Sequence, residues 1–323
     1  MDLLGIHPGA LGDAILFAQF LPAVAGPGGR VRLAAGGSKA RLLAGLGAVE
    51  EAVDIESLPL HRLYAGCPDA AGPVSAGHVP PLRAGPWPRA DVLVSCLGGG
   101  DSAVEGRLAA VCGAERAFFL QVRPPEDWPG HLVALWAEQA GVTAPAPPRW
   151  PVPAAWRAEA GRTLDEADAE ADAGYVLLCP GAGSPAKCWP LERFETLAAA
   201  LDRPAVFVVG PVEAERWPAG RLERLGRDFP LVTCPTLEVL AGLAAPAGAV
   251  VANDSGPAHL AAAVGAPTVT IFGPASRAEH FAPRGRRVRV IAAGDLADPG
   301  PSTVAETVAE VYSYNRSANE DVR

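Results

Sequence analysis

The sequence predicts an α/β protein built from two doubly wound halves, and three observations carry that expectation. The chain has 323 residues and 49% apolar content, which is long for one ordinary domain and rich enough for two hydrophobic cores. Short apolar runs alternate with Ala/Leu-rich helical patterns, as in VRLAAG followed by SKARLLAGLG, and AVFVVG followed by a Glu/Arg-rich stretch ending near Gly226. That alternation is the mark of strand-helix-strand units, whose parallel sheets are covered on both faces. Finally, TAPAPPRWPVPAAW holds five prolines in fourteen residues; their fixed φ and missing donors suit an extended linker. The boundary falls between Ala144 and Pro153, giving domains over 1–150 and 151–323.

Strands are expected near Leu3 to Ile6, Val31 to Ala34, Val92 to Cys96 and Ala117 to Leu120 in the first half. The second half carries Tyr175 to Cys179, Ala205 to Val209, Leu231 to Cys234, Ala249 to Ala252 and Thr268 to Phe272. Good helix formers occupy Ala154 to Ala173. Pro59 to Pro88, rich in Pro, Gly and His, reads as a long surface excursion, and the polar tail after Tyr314 as a frayed end.

Charged residues make up 20% of the chain and the net charge is -9, which argues against a broad nucleic-acid surface held by counterion release. A polyanionic partner would need a local basic patch. The cysteines Cys67, Cys96, Cys112, Cys179, Cys188 and Cys234 form no C-x-x-C pair, and several lie in apolar runs such as VLVSC and YVLLC. They read as reduced, structural thiols. No basic segment followed by a long apolar stretch opens the chain, and no run approaches the roughly 18 apolar residues of a membrane span. A cytoplasmic protein is expected.

Three stretches could carry chemistry. In HPGALGDAILFAQFLPAV, Gly9 and Gly12 permit a tight turn after the first strand, and Asp13 stands where a helix from Ala14 to Phe20 begins. Asp13 reads either as the cap of that helix or as a general base at the carboxyl end of a strand, where open α/β sheets bind ligands. In YVLLCPGAGSPAKCWPLERFETLAAAL, Gly181 and Gly183 allow close approach of backbone amides, Ser184 adds a hydroxyl and Lys187 an ammonium. These are parts of a diphosphate cradle, although Lys187 also suits a solvent-facing surface. The G-K-[ST] of a Walker loop is absent. The third stretch, AVVANDSGPAHLAAAVGAPTVTIFGP, ends a buried strand in Asn253 and Asp254, turns through Ser255, Gly256 and Pro257, and puts His259 in the first turn of an Ala-rich helix. The positive end of that helix suits an anion. His259 reads equally as a ligand contact or as a hydrogen-bonded structural residue. Asp254, Ser255 and His259 lack the G-x-S-x-G elbow of a hydrolase, and neither H-x-x-x-H nor D-x-D marks a metal site.

Taken together, GALGDAILFAQFLPAV, PGAGSPAKCWP and NDSGPAHLAAAVGAPTVTIFGP occur in the order and at the separations of glycosyltransferase family 9, the ADP-heptose lipopolysaccharide heptosyltransferases, which the chain resembles over nearly its whole length. The resemblance implies the GT-B architecture: two Rossmann-like domains facing across a cleft, acceptor on the first and donor on the second, with the last helix able to pack back on the first. It implies that Asp13, beside Gly12 on the acceptor side, is the catalytic base and that Lys187 contacts donor phosphates. Asp254, Ser255, Gly256 and His259 match the donor-side D-[ST]-G-x-x-H segment, and Pro235, Thr236 and Leu237 resemble the stretch bordering adenine. An acidic residue after AVFVVG would bind ribose: Glu213, or Glu215 close behind it.

The implied reaction is a single inverting displacement without a metal or other cofactor, moving heptose or a related sugar from an ADP-sugar to a hydroxyl of a lipopolysaccharide core or other glycan. A lipid-linked acceptor would bring the protein to the inner face of the membrane. The loop LGGGDSAVEGR departs from an alignable acceptor pattern, and the basic candidates Arg62, Arg83, Arg89 and Arg107 are scattered. The rivals are a GT-B transferase with another nucleotide sugar, a nucleotide-sugar epimerase, a non-catalytic nucleotide-sugar binder and, most distant for want of G-x-G-x-x-G, an NAD-dependent oxidoreductase.

Overall fold

The computed structural model describes residues 1–64, 87–169, 174–218 and 220–320, with side chains as far as Tyr312. The chain divides into two compact units, one of Met1–Trp128 with Leu132–Pro145, the other of Pro129–His131 with Ala146–Arg323. Most of the expected excursion, residues 65–86 with Cys67 and Arg83, lies outside the described residues.

The first unit runs β1 (Asp2–Ile6), α1 (Leu11–Ala25), β2 (Arg30–Ala35), α2 (Gly37–Gly45), β3 (Glu51–Asp54), β4 (Val92–Ser95), α3 (Ser102–Cys112), β5 (Arg116–Phe119) and α4 (Leu132–Ala140). Its five strands are all parallel, in the order β3-β2-β1-β4-β5. Leu3, Leu4 and Ile6 of the central strand are fully buried, as a strand covered on both faces requires. Gly5 lets α1 lie close to the sheet, since a Cβ there would meet Leu21 Cδ1 at 2.5 Å. Phe17 and Phe20 of α1 then pack on Trp136 of α4, Phe17 edge-on at 5.5 Å between ring centroids. The Trp136 indole N–H donates to the Gln121 carbonyl (2.7 Å), satisfying its one polar atom inside the core.

The second unit runs α5 (Ala154–Glu166), β6 (Val176–Cys179), α6 (Leu191–Ala200), β7 (Ala205–Val209), α7 (Pro211–Arg216), α8 (Arg221–Asp228), β8 (Leu231–Thr233), α9 (Leu237–Ala244), β9 (Ala249–Asn253), α10 (Gly256–Val264), β10 (Thr268–Phe272), α11 (Ala278–Phe281), β11 (Val288–Ala292) and α12 (Pro301–Glu320). Its six strands are also parallel, in the order β11-β10-β9-β6-β7-β8. Val304, Val308 and Val311 put an apolar stripe of α12 into this core. The last helix therefore belongs to the second unit, and it remains helical to Glu320 where a frayed tail was expected.

Two strands escaped the sequence reading. β3 (EAVD) and β11 (VRVIA) are edge strands whose residues are largely exposed or half-buried, so neither shows the apolar run of a central strand. The Glu/Arg-rich stretch after β7 is two helices, α7 and α8, because Trp217 precedes a proline and leaves the helical region with ψ 145°.

The aromatic cluster gives a direct test of the first core. Truncation of Phe17 to Ala should destabilise that unit by about 3–5 kcal/mol, read as a lower urea midpoint in tryptophan fluorescence; a midpoint unchanged from wild type would show that the cluster does not hold α1.

Candidate functional site

Both sheets reverse their winding direction beside the first strand of the unit, β1 between β2 and β4 and β6 between β7 and β9. The loops leaving the paired strands at such a point diverge to opposite faces and open a crevice at the carboxyl end of the sheet. The principal candidate residues follow β1 in the first unit and β6 and β9 in the second.

In the second unit the key residue for local shape is Asn253, the last residue of β9, which is fully buried. Its amide nitrogen donates to the Pro180 carbonyl (2.8 Å) and its amide oxygen accepts from the Trp189 N–H (2.9 Å). One side chain thus ties both ends of the loop after β6. The Trp189 ring is buried, stacks edge-on with Phe194 at 4.9 Å and donates to the Pro299 carbonyl (3.0 Å), so the far end of the loop is anchored twice. Between these ends Ser184 accepts from the Ala186 amide (3.4 Å) and opens a short turn, Pro185–Lys187. That turn delivers the Lys187 ammonium to within 2.6 Å of Asp254 Oδ2, from a residue 67 positions away. Asp254 is 7% exposed.

Asp254 and Ser255 lead into α10, whose N-cap Ser255 makes no side-chain cap. The Ser255 hydroxyl instead donates to the Asn253 carbonyl (3.1 Å), which also removes the hydroxyl-to-imidazole contact that a hydrolase would need. In the first turn of α10 the Ala258 and His259 amides donate to the Ser255 carbonyl (3.1 and 3.4 Å) and Pro257 has no N–H, so the Gly256 amide stands at the positive end of the helix. His259 lies in this turn, 5% exposed, with Nδ1 buried and without a partner. Burial lowers its pKa to about 4; the Asp254 carboxylate opposes that shift, whereas His131 and Lys187 reinforce it. His131 is likewise held near 4, chiefly by burial, and its Nε2 lies 2.9 Å from the Ala282 carbonyl.

Glu213, in the first turn of α7, is buried, and Glu215 is exposed. The Glu213 carboxylate lies directly over Gly181, where any Cβ would collide with it. Gly183 faces open space. Thr236 caps α9 by accepting from the Val239 amide (3.2 Å), and the chain enters Pro235, Thr236 and Leu237 through Cys234 in a left-handed conformation, φ 49°.

In the first unit Asp13 is not the cap of α1. Ala10 holds that position, and Asp13 is the third helical residue, in the first turn where a carboxylate complements the helix dipole; Gly12 beside it is buried. Asp13 Oδ2 lies 3.1 Å from where a Cβ of Gly9 would stand. Two residues that the motifs did not single out hold this turn: the Gly9 N–H donates to His7 Nδ1 (3.0 Å), and Lys39 donates to the Gly9 carbonyl (2.6 Å). Lys39 had a legible signal, since Gly36, Gly37, Ser38 and Lys39 repeat the strand, glycine, serine, lysine order of the loop after β6. His131 had none. Of the scattered basic residues, Arg107 donates to the Leu63 carbonyl (2.6 Å) and Arg89 packs on Gly113, while Arg62 is exposed.

The described cysteines are free. Burial raises the Cys112 thiol to about 11 and Cys179 to about 12, the latter also opposed to ionising by Glu213, which makes them poor nucleophiles or metal ligands. Among the described residues no three His, Cys, Asp or Glu side chains gather as a metal site, and no helix is long and apolar enough to cross a membrane.

The family profile of glycosyltransferase family 9 (heptosyltransferase) matches residues 131–310, more than half of the chain and including the Lys187, Asp254 and His259 site. The chain belongs to glycosyltransferase family 9. It is a glycosyltransferase of the heptosyltransferase type. Among solved structures, E. coli ADP-heptose lps heptosyltransferase II superposes on this family 9 chain with a TM-score of 0.71 at 21% identity, covering 98% of this chain and 100% of that one. A family 9 glycosyl transferase from Veillonella parvula DSM 2008 gives 0.72 at 17% identity over 97% of each chain. E. coli heptosyltransferase WaaC with ADP gives 0.63 at 21% identity over 96% and 100%. The two parallel sheets with their helices are thus the GT-B fold of the heptosyltransferases. No curated protein matches the chain by sequence.

The buried histidines make stability depend on pH. His7, His131 and His259 have pKa values lowered by burial from 6.5 to about 4, so between those values the unfolded chain binds more protons than the folded one. Stability should be fully present above about pH 6.5 and decline as pH falls towards 4, seen as a falling thermal midpoint; a flat midpoint over that window would contradict three neutral buried imidazoles.

Proposed function

We propose that this protein is an inverting, metal-independent heptosyltransferase that moves heptose, or a related sugar, from an ADP-sugar to a hydroxyl of a lipopolysaccharide core or other glycan. The observation that carries the reading is the Lys187–Asp254 pair at the opening of α10 (2.6 Å). Asp254 itself would repel a diphosphate, so its part is to hold the ammonium of Lys187 where phosphate oxygens arrive. The positive end of α10, with the Gly256 amide at its tip, takes the remaining charge. The similar fold of E. coli WaaC was solved with ADP, which supports adenine as the base of the donor here.

Donor binding then distributes over residues already in place. Gly181 and Gly183 keep the loop after β6 free of side chains, Ser184 shapes its turn, and Ser255 and Gly256 open the helix under the phosphates. Buried Glu213, rather than exposed Glu215, faces the ribose hydroxyls. Pro235, Thr236 and Leu237 border the base, and His259 lies beside the diphosphate. On the acceptor side Asp13 removes the hydroxyl proton as that oxygen attacks the anomeric carbon; the bond to the diphosphate breaks on the opposite face, inverting the configuration. Lys187 and the helix dipole stabilise the negative charge that grows on the departing diphosphate, a task that falls to Mg²⁺ in many transferases. A lipid-linked acceptor would bring the enzyme to the inner face of the membrane.

Calorimetry in EDTA should show selective binding of ADP over UDP and GDP. Lys187→Ala should weaken it about tenfold to a hundredfold, the range for a lost charge-assisted hydrogen bond, and Asp13→Asn should leave it within about twofold. Preference for UDP or GDP would remove ADP-heptose from the proposal. With ADP-heptose and deacylated lipopolysaccharide core, the product anomer should be inverted and Asp13→Asn inactive; a retained anomer would rule out the single displacement.

A further inference from the structure

We propose that Lys39 is a positioning residue for Asp13, fixing the turn on which that carboxylate rests; the inference depends on Asp13 being the base of the transfer. Gly9 is the point of contact. A Cβ there would lie 3.1 Å from Asp13 Oδ2 and 2.5 Å from the ring carbon Cε1 of His7, so the carboxylate and the imidazole both pack on its bare α-carbon. Both backbone groups of Gly9 are held by side chains: the N–H donates to His7 Nδ1 at 3.0 Å, and the C=O accepts from Lys39 Nζ at 2.6 Å. His7 is 2% exposed, and its burial keeps the ring neutral, so that Nδ1 can accept. Gly9, under Asp13, is therefore held at both of its backbone groups, by His7 of the same turn and by Lys39 of α2.

Lys39 occupies a place that local preference would not give it. It is the third residue of α2, in the first turn, where the helix dipole favours an acidic side chain and disfavours a cation. No carboxylate pairs with it among the described ion pairs. Gly36 makes its reach possible: a Cβ there would stand 2.8 Å from Lys39 Cε, across the path of the stem. A cation set against a helix dipole, with one N–H spent on a loop carbonyl, leaves its other donors beside the carboxylate turn. A breach of local preference of this kind is expected at functional positions.

The test uses the full chain with Lys39→Met, which keeps the stem and removes the charge, Lys39→Arg, which keeps a donor, and Asp13→Asn. Amide exchange of the peptide over residues 7–13 is read without substrate, ADP affinity by calorimetry, and ADP release from ADP-heptose with deacylated lipopolysaccharide core. Lys39→Met should speed exchange at this turn and lower kcat about a hundredfold, the cost of a misplaced catalytic group, with ADP affinity and the KM for ADP-heptose within about twofold. Lys39→Arg should restore at least about tenfold of the lost kcat. Unchanged exchange in Lys39→Met overturns the clamp whatever the substrate, and wild-type kcat in that variant overturns the positioning role. Asp13→Asn separates the two readings: if it turns over normally the base assignment itself falls, whereas an inactive Asp13→Asn beside a fully active Lys39→Met removes Lys39 alone.

Discussion

The pairing of Lys187 with Asp254 depends on one topological fact: β6 and β9 are neighbours in a parallel sheet, which brings together two residues 67 positions apart. Parallel pairing sends both strands out at the same edge, and the reversal of strand order there leaves the two loops free to diverge. Every other feature of the proposed donor site follows from that edge. Asn253 closes the loop after β6 with its amide, Trp189 anchors the loop's far end in the core, and α10 starts where Asp254 leaves the sheet. A different strand order would leave the same two loops at that edge but separated by intervening strands.

The two units solve a similar problem with different chemistry. In each, a glycine at the mouth of the first strand lets a carboxylate settle against backbone, Asp13 over Gly9 and Glu213 over Gly181. In the second unit a buried amide side chain fixes the loop ends, because Asn253 can donate and accept at once. In the first, the donor and acceptor roles are split between Lys39 and His7, which meet at a single glycine. The turn after β1 is short and directly feeds a helix, so there is no second loop end to hold.

Much of this was legible beforehand. Central strands showed themselves as apolar runs because they are buried on both faces, and the glycine-rich turns before α1, after β6 and before α10 showed themselves as motifs. Edge strands β3 and β11 did not, since solvent on one side permits glutamate and arginine in their sequences. Of the two readings of Asp13, the cap does not hold: Pro8, Gly9 and Ala10 make the turn, and the helix begins before the carboxylate arrives. The choice between Glu213 and Glu215 was open in the sequence because both follow the same strand, and it was their rotation around α7 that buried one and exposed the other.

By itself the sequence determined which residues are chemically able to act: an aspartate after the first strand, a lysine in a glycine loop, a D-S-G-x-x-H helix start, and the linker that separates two α/β halves. These are local properties, set by residue type, spacing and backbone freedom. Tertiary structure decided who meets whom. It gave the lysine its carboxylate, gave the loop after β6 its asparagine, set His131 beside His259 and brought Lys39 to Gly9. Such contacts join residues 30 to 128 positions apart and are fixed only when strands pair and the core closes, because no local preference of the chain encodes the distance between two loops at a common sheet edge.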